Sequence, residues 1–520
     1  MAGQEDQELD QEQHADPAGR LTTGAAPPGA GTGPRARVGL EVSQVVELPR
    51  PRFPGSAEPA RMYAVLTVTV RRPGAAPPDA PGAAEGDPAP GAHRPRLAEV
   101  LLIDHSSSMV IPPSRLAAAR AAAVGALAKL PDGALFALVA GGDKAAMIYP
   151  RRPGLAVAHA ESRAAAEAAL YDCTPGGGTA MGTWLERARL LFRDLPAAGP
   201  TGHVRHALLL TDGKNESGYE SRAELRERVE RCAGAFDCDV VGIGDAWETE
   251  ELLLIAGALG GRIRAVEDLT RLPGELAALT GRAAERDVTG LRLRLHHRAG
   301  VRPLSFEQVH PTRTALTPAH VDLTGVGTGA GGPVEEYGLS PCGEETRAYL
   351  LCVAAPYDPA QLGKELLLTE VEIDAGDQAR DLDLPAPQPV LMRWTDDADL
   401  YSRLDPQVAH YQHEEELHRT FERACAELKR GARETAETLL GTAWRLAGET
   451  GDTAMRDHLR RLVRVADTER GTVRLLDHIA RFDVEAARIQ SSMTVLPGRL
   501  PSGRLPRGRP AGGRPAGGRR

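Results

Sequence analysis

The chain has 520 residues, with 62 Lys and Arg against 71 Asp and Glu for a formal net charge of −9, which excludes a single hydrophobic core and any bulk attraction to nucleic acid. Hydrophobic residues at 42% and charged residues at 26% are ordinary for a globular protein, whereas 40 Pro, 56 Gly and only 4% aromatic residues imply linkers and tails. Six cysteines (Cys173, Cys232, Cys238, Cys342, Cys352 and Cys425) form no CxxC pair, which argues against a zinc ribbon, a thioredoxin motif or a disulfide framework and for thiols in a reducing compartment.

The opening run MAGQEDQELDQEQHADPAG is acidic and has no apolar core, so it does not read as a secretory signal. No stretch approaches the ~18 apolar residues of a membrane span, and a cytoplasmic protein is expected. Residues 1–36 show no hydrophobic periodicity and are predicted to be a disordered acidic tail. Residues 37–72 turn β-like: in YAVLTVTVRR, Leu66, Val68 and Val70 alternate with Thr67, Thr69 and Arg71. Two strands do not make a stable sheet alone, so these are expected to join a later β domain across the Pro/Ala/Gly-rich linker 73–95.

Over 96–285 apolar runs (VLLID, ALFALVA, AAMIYP, HALLLTD, CDVVGIG and RIRAV) alternate with helical stretches near 114–130, 161–170, 183–192, 221–233, 248–259 and 269–280. That alternation predicts a doubly wound α/β domain with a parallel sheet buried on both faces. Residues 286–398 (LRLRLHH, TALTPAHVDL, TRAYLLCVAAP, ELLLTEVEID, PVLMRW) read as antiparallel β, so the α/β domain is expected to be inserted in a β-sandwich. Residues 399–495 read as helical throughout, three or four antiparallel helices forming a bundle. Residues 496–520 are an Arg/Gly/Pro tail predicted to be disordered, basic enough to attract acidic protein, RNA or anionic lipid.

One constellation carries chemistry. VLLIDHSSSM places Asp104 at the carboxyl end of the first α/β strand with Ser106 and Ser108 in the following turn, at the edge where open α/β sheets bind ligands. TPGGGTAMG supplies Thr179 and LLLTDGKNES supplies Asp212 from loops on the same side. Five hard oxygen donors suit Mg²⁺, with Mn²⁺ as a second candidate. Two carboxylates balance the ion's formal charge and three neutral hydroxyls leave it electrophilic, which invites an Asp or Glu of another protein.

These motifs, Asp-x-Ser-x-Ser after a strand, Gly-Gly-Thr, and Thr-Asp-Gly after a strand, resemble the metal-ion-dependent adhesion site of a von Willebrand factor type A domain over about 190 residues. The resemblance implies a Rossmann-like fold, protein binding rather than catalysis, Ser106, Ser108 and Thr179 as nearer metal ligands, and Asp104 and Asp212 as direct or water-mediated ones. EVSQVVELP and the Thr-Val-Thr-Val strand resemble intracellular actinobacterial members. For those the implied role is a scaffold in Ser/Thr kinase signalling or stress response, beside kinases, phosphatases or forkhead-associated proteins.

Other readings compete. Asp104 to Ser108 alone would serve as a helix-capping turn. A Mg²⁺-dependent phosphohydrolase would use a strand-end aspartate, but the second carboxylate of that pattern is replaced by Ser106, and Lys214 reads as a surface lysine. No Gly-x-Ser-x-Gly elbow surrounds the serines, and Gly176–Gly178 lack the following Lys of a phosphate loop, reading instead as backbone that passes close to the ion. In HEEELH, His413 and His418 are one residue too far apart for the helical zinc pattern, and the stretch reads as a solvated helix face.

Overall fold

The computed structural model describes residues 35–50, 60–72, 96–196, 202–322, 331–355 and 357–498. Residues 1–34 of the predicted acidic tail and the 73–95 linker lie outside the described residues, as does nearly all of the basic tail, while Ala36 already belongs to a strand.

Strands β1 (Ala36–Gln44), β2 (Glu47–Pro49) and β3 (Ala60–Arg71) come first. The α/β unit follows as β4 (Arg96–Asp104), α1 (Pro113–Lys129), β5 (Leu135–Gly141), β6 (Ala146–Tyr149), β7 (Ala156–Val157), α2 (Ala160–Asp172) and α3 (Met181–Phe192). It continues through β8 (His203–Thr211), α4 (Arg222–Cys232), β9 (Asp237–Ile243), α5 (Thr249–Ala258), β10 (Ile263–Val266) and α6 (Leu272–Ala284). Its sheet runs β10-β9-β8-β4-β5-β6, with β7 also on β5. The chain builds outward from β4 to β5 and then returns to add β8 on the other side, so the strand order switches at β4, and ligand sites gather at the carboxyl end of such a switch.

The apolar strand runs are buried on both faces because each face has its own helices. Leu101, Ile103, Leu208 and Leu210 meet the alanine stripe of α1 (Ala119, Ala122, Ala126) and Leu276 and Leu279 of α6. Val100, Leu102, Leu209 and Val240 meet Trp184 and Leu185 of α3, Val229 of α4 and Ile255 of α5. The six helical stretches expected from periodicity are α1 to α6. The sheet is mixed rather than parallel: β6 and β7 run antiparallel to β5. AAMIYP connects to β5 through a short turn that leaves no room for a crossover helix.

Beyond Ala284 two six-stranded sheets share one core. β11 (Arg292–Arg298), β12 (Arg302–His310), β13 (Thr314–Ala315), β14 (His320–Asp322), β15 (Gly331–Gly338), β16 (Thr346–Ala355), β17 (Glu365–Asp374), β18 (Leu382–Asp383) and β19 (Gln388–Thr395) supply most of them. β3 lies between β16 and β1, and β2 flanks β19. The strands before the α/β unit are thus hydrogen-bonded to those after it, with Val68 opposite Arg347 and Leu66 opposite Tyr349. TALTPAHVDL is not one strand: Pro318 falls between β13 and β14, which lie in different sheets. β12 and β15 have no expected counterpart, since a leading Pro303 and the Gly331–Gly332 pair hide them.

The last part holds α7 (Ala398–Tyr401), α8 (Pro406–Lys429), α9 (Arg433–Glu449), α10 (Thr453–Arg460), a hairpin β20 (Val463–Asp467) and β21 (Thr472–Leu475), and α11 (Arg481–Ser492). The hairpin corrects the all-helical expectation. Val463, Val473 and Leu475 are buried in the helical core, and the turn at Gly471, φ +66°, sits so close to Gly441 of α9 that a Cβ on either glycine would strike the other's backbone. This region docks on both others. Phe482, Ala486 and Ile489 of α11 complete the core of the α/β unit, while Val408 and Tyr411 of α8 pack on Val65, Val309 and Leu350. Each such large apolar side chain contributes about 1.5–3 kcal/mol by burial.

Candidate functional site

β4 delivers Asp104 fully buried at its carboxyl end. The chain then curls back because the Ser106 amide donates to Asp104 Oδ1 (2.8 Å), a local side-chain turn of the kind aspartate favours. Thr211, the last residue of β8, donates its hydroxyl to Asp104 Oδ2 (2.6 Å). Ser106 Oγ and Ser108 Oγ lie 2.9 Å apart, and Ser108 Oγ donates to Asp212 Oδ1 (2.7 Å). Asp212 Oδ2 accepts from Arg115 at the start of α1 (3.0 Å).

The glycine loop is stitched to this turn. The Gly176 amide donates to the His105 carbonyl (2.7 Å), and the Ser107 amide donates to the Gly177 carbonyl (3.0 Å). Gly177 has φ +81°, and a Cβ on Gly178 would strike the ring of Tyr219, so side chains are excluded where this loop crosses the 213–219 loop. Thr179 is held from both sides, its amide donating to Glu216 Oε1 (3.2 Å) and its carbonyl accepting from the Glu216 amide (2.8 Å). A Cβ on Gly213 would lie 3.7 Å from Thr179 Oγ1 and 3.8 Å from Ser108 Oγ, which puts both hydroxyls beside the Asp212 turn. The structure therefore brings Asp104, Ser106, Ser108, Thr179 and Asp212 to one place. Four of them are buried while Ser108 is exposed, so the cluster opens to solvent on one side.

Burial pushes the Asp104 carboxyl up to about 6; hydrogen bonds from Ser106 and Thr211 oppose the shift and the nearby Asp212 charge adds to it. Two carboxylates and three hydroxyls suit a hard divalent ion, and a cation there would relieve the cost of burying Asp104. Among the described residues no group of three or more His, Cys, Asp or Glu side chains is arranged to hold a metal, so any ion here relies on the hydroxyls. Arg115 and Thr211 were not singled out from sequence. Thr211 was legible in LLLTDG, whereas nothing in the spacing of Arg115 marks it. Lys214, the cation that sequence placed near Asp212, is exposed.

One further expectation changes. HEEELH is not a wholly solvated face: Glu414 is buried and His418 bonds Ser491 of α11 (3.0 Å). Among the described residues, no helix is long and apolar enough to cross a membrane.

Residues 99–265 match the family model described as von Willebrand factor type A domain, so the α/β unit is a domain of that class, which generally serves protein interaction. A solved von Willebrand factor type A protein from Catenulispora acidiphila is similar over 90% of this chain and 99% of its own, with 28% identity and a TM-score of 0.74. The likeness thus extends through the β and helical parts. The ArnB paralog VWA2 from Sulfolobus acidocaldarius aligns over 89% of this chain and all of its own at 12% identity and a TM-score of 0.48. An uncharacterized protein of Synechocystis sp. is 29% identical over 225 residues, 42% of this chain, and the chain spans about half the length of that curated relative.

Proposed function

We propose that this chain captures a protein partner through a divalent cation, Mg²⁺ or Mn²⁺, held by Asp104, Ser106, Ser108, Thr179 and Asp212, with an Asp or Glu of the partner completing the ion's ligands. The observation that carries the reading is the convergence of these five residues at the carboxyl edge of the sheet, with only Ser108 facing solvent. When bound, the ion would supply an electrophilic point with affinity for a carboxylate oxygen. The chain's own groups do the rest. Asp104 and Asp212 supply the compensating charge, and Thr211 fixes the orientation of Asp104. Arg115 holds Asp212 Oδ2 so that Oδ1 faces Ser108. Binding rather than turnover is the proposed role because the sequence resemblance implies it and because Ser106 stands where an aspartyl-phosphate mechanism would place its second carboxylate. Attachment of kinases, phosphatases or forkhead-associated proteins to such a scaffold is a narrower form of the same proposal and rests on the sequence resemblance alone.

The test is capture by full-length protein from lysate of its own cells, with Mg²⁺ or with EDTA. Proteins retained only with Mg²⁺, and lost with Thr179→Ala at unchanged circular dichroism, are the expected result. Capture indifferent to both EDTA and Thr179→Ala would remove the proposal.

A further inference from the structure

A cavity of about 190 Å³ lies where all three parts of the molecule meet, between α5 and β10 of the α/β unit, the β12–β13 turn, and α8 and α11 of the helical part. Taking about 30 Å³ per water, it has room for roughly six waters or an organic molecule of that size. One wall is apolar, formed by Leu253, Ala256 and Ile263. On the other lies Glu414, 2% exposed, and neither of its carboxyl oxygens has a hydrogen-bond partner.

The neighbours of Glu414 are committed elsewhere. His410, at 3.7 Å, bonds the Val495 carbonyl through the same Nε2 (2.8 Å). Thr450 gives its proton to the Leu446 carbonyl (3.1 Å). Burial holds both His410 and His418 toward the neutral form. Burial, and after it the negative charge of Asp452, raises the Glu414 carboxyl to about 8, with the Val495 backbone, Thr450 and Arg313 opposing the shift. Arg313, the guanidinium in the lining, is spent on Glu307 (2.8 Å) and the Tyr411 carbonyl (2.9 Å), with Glu415 also at 3.7 Å. Glu415 in turn pairs with Arg419.

The hydroxyls point the same way. Ser491, Ser492 and Thr494 donate their protons to the backbone carbonyls of Arg488 (2.9 Å), Ile489 (2.7 Å) and Val309 (2.6 Å); Ser491 also meets His418 Nδ1 (3.0 Å) and Thr494 meets His310 Nδ1 (3.1 Å), so the Ser492 oxygen is the one left to accept from the cavity. The lining carries a buried acid without a hydrogen-bond partner, an open hydroxyl oxygen at Ser492 and an apolar wall. A group that brings several N–H donors and a positive charge satisfies all three conditions. From this geometry we infer that the three-domain cavity is a binding site for a small primary ammonium compound with a short apolar stem, its nitrogen on Glu414 and its stem against Leu253, Ala256 and Ile263.

The experiment uses the full chain in EDTA, which separates it from the metal site, with n-butylammonium chloride as probe and 1-butanol and NaCl as controls. Calorimetry and thermal unfolding are expected to show saturable binding of butylammonium with a Tm rise of about 2–4 °C, and no saturable effect from either control. Glu414→Gln keeps the shape and removes the acid, and the response should vanish. Gly257 supplies a second variant: a Cβ there would find only Thr314 Oγ1, at 4.0 Å, so Gly257→Leu fills the cavity while Glu414 stays, and it too should abolish binding. Equal responses to the amine and the alcohol, no response to either, or binding that survives Glu414→Gln or Gly257→Leu would each overturn the site and leave the cavity to water.

Discussion

Strands β4 and β8 carry two polar clusters, and the contrast between them separates structure from function. At their carboxyl ends a part-exposed guanidinium, Arg115, bonds Asp212 and not Asp104. Earlier on the same strands, Glu99 and His206 sit opposite one another in register. His206 Nδ1 lies 2.9 Å from Glu99 and Nε2 lies 3.3 Å from Asp239 of β9, all three fully or almost fully buried. The two carboxylates raise His206 to about 10 against its burial, and the imidazolium holds Asp239 well below the usual carboxylate range. The inner cluster is closed by its own cation. The outer one leaves Asp104 without one, and that is the place the proposed ion would take.

The largest expected effect comes from opening the closed cluster. His206→Ala would leave Glu99 and Asp239 buried and unpaired, at a cost of about 3–5 kcal/mol, read by urea denaturation. The sign with pH follows from a raised folded pKa. The His206 contribution is fully present below about pH 6.5, its unfolded value, and is lost as pH rises through about 10. Wild-type protein should therefore lose stability between pH 7 and 10 in a component that His206→Ala lacks. Next is the junction. Arg488 of α11 bonds Glu250 of α5 (2.7 Å), Glu422 of α8 (2.9 Å) and Glu485 (3.1 Å). Arg488→Met should cost about 3 kcal/mol and raise hydrogen exchange in α5 and α11 before the β core.

In the outer cluster, Arg115→Gln removes the internal cation that competes for Asp212. Mg²⁺ affinity should rise about tenfold, the equivalent of 1.4 kcal/mol, while stability falls by about 1 kcal/mol or less for a partly exposed pair. A fall in affinity would mean that the guanidinium organises the site more than it competes. Smallest is Lys214→Ala, for which both affinity and stability should stay within about 0.5 kcal/mol of wild type.

The outer cluster was legible because each member stands in a short segment whose order implies its place: Asp104 ends an apolar run, Ser106 and Ser108 follow in the turn, and Thr179 and Asp212 follow a glycine run and a strand. Arg115 and the inner cluster were not. Glu99, His206 and Asp239 read as scattered charges until register sets them side by side on one face. The helical period of DHLRRLVRVAD likewise concealed β20, since Val463 is buried by contacts with α9 and α10 that no local pattern encodes. Glu414 was misjudged for the same reason: HEEELH is polar at every position but Leu417, and only the docking of α11 shows which of those residues face inward.

Calorimetric titration of Mg²⁺ into the full-length chain and into Asp104→Asn addresses the central claim most directly. The account predicts one ion per chain for wild type and none for the variant, with the two proteins unfolding within about 1 kcal/mol of each other. Equal binding by both, or no binding by wild type at millimolar Mg²⁺, would contradict it.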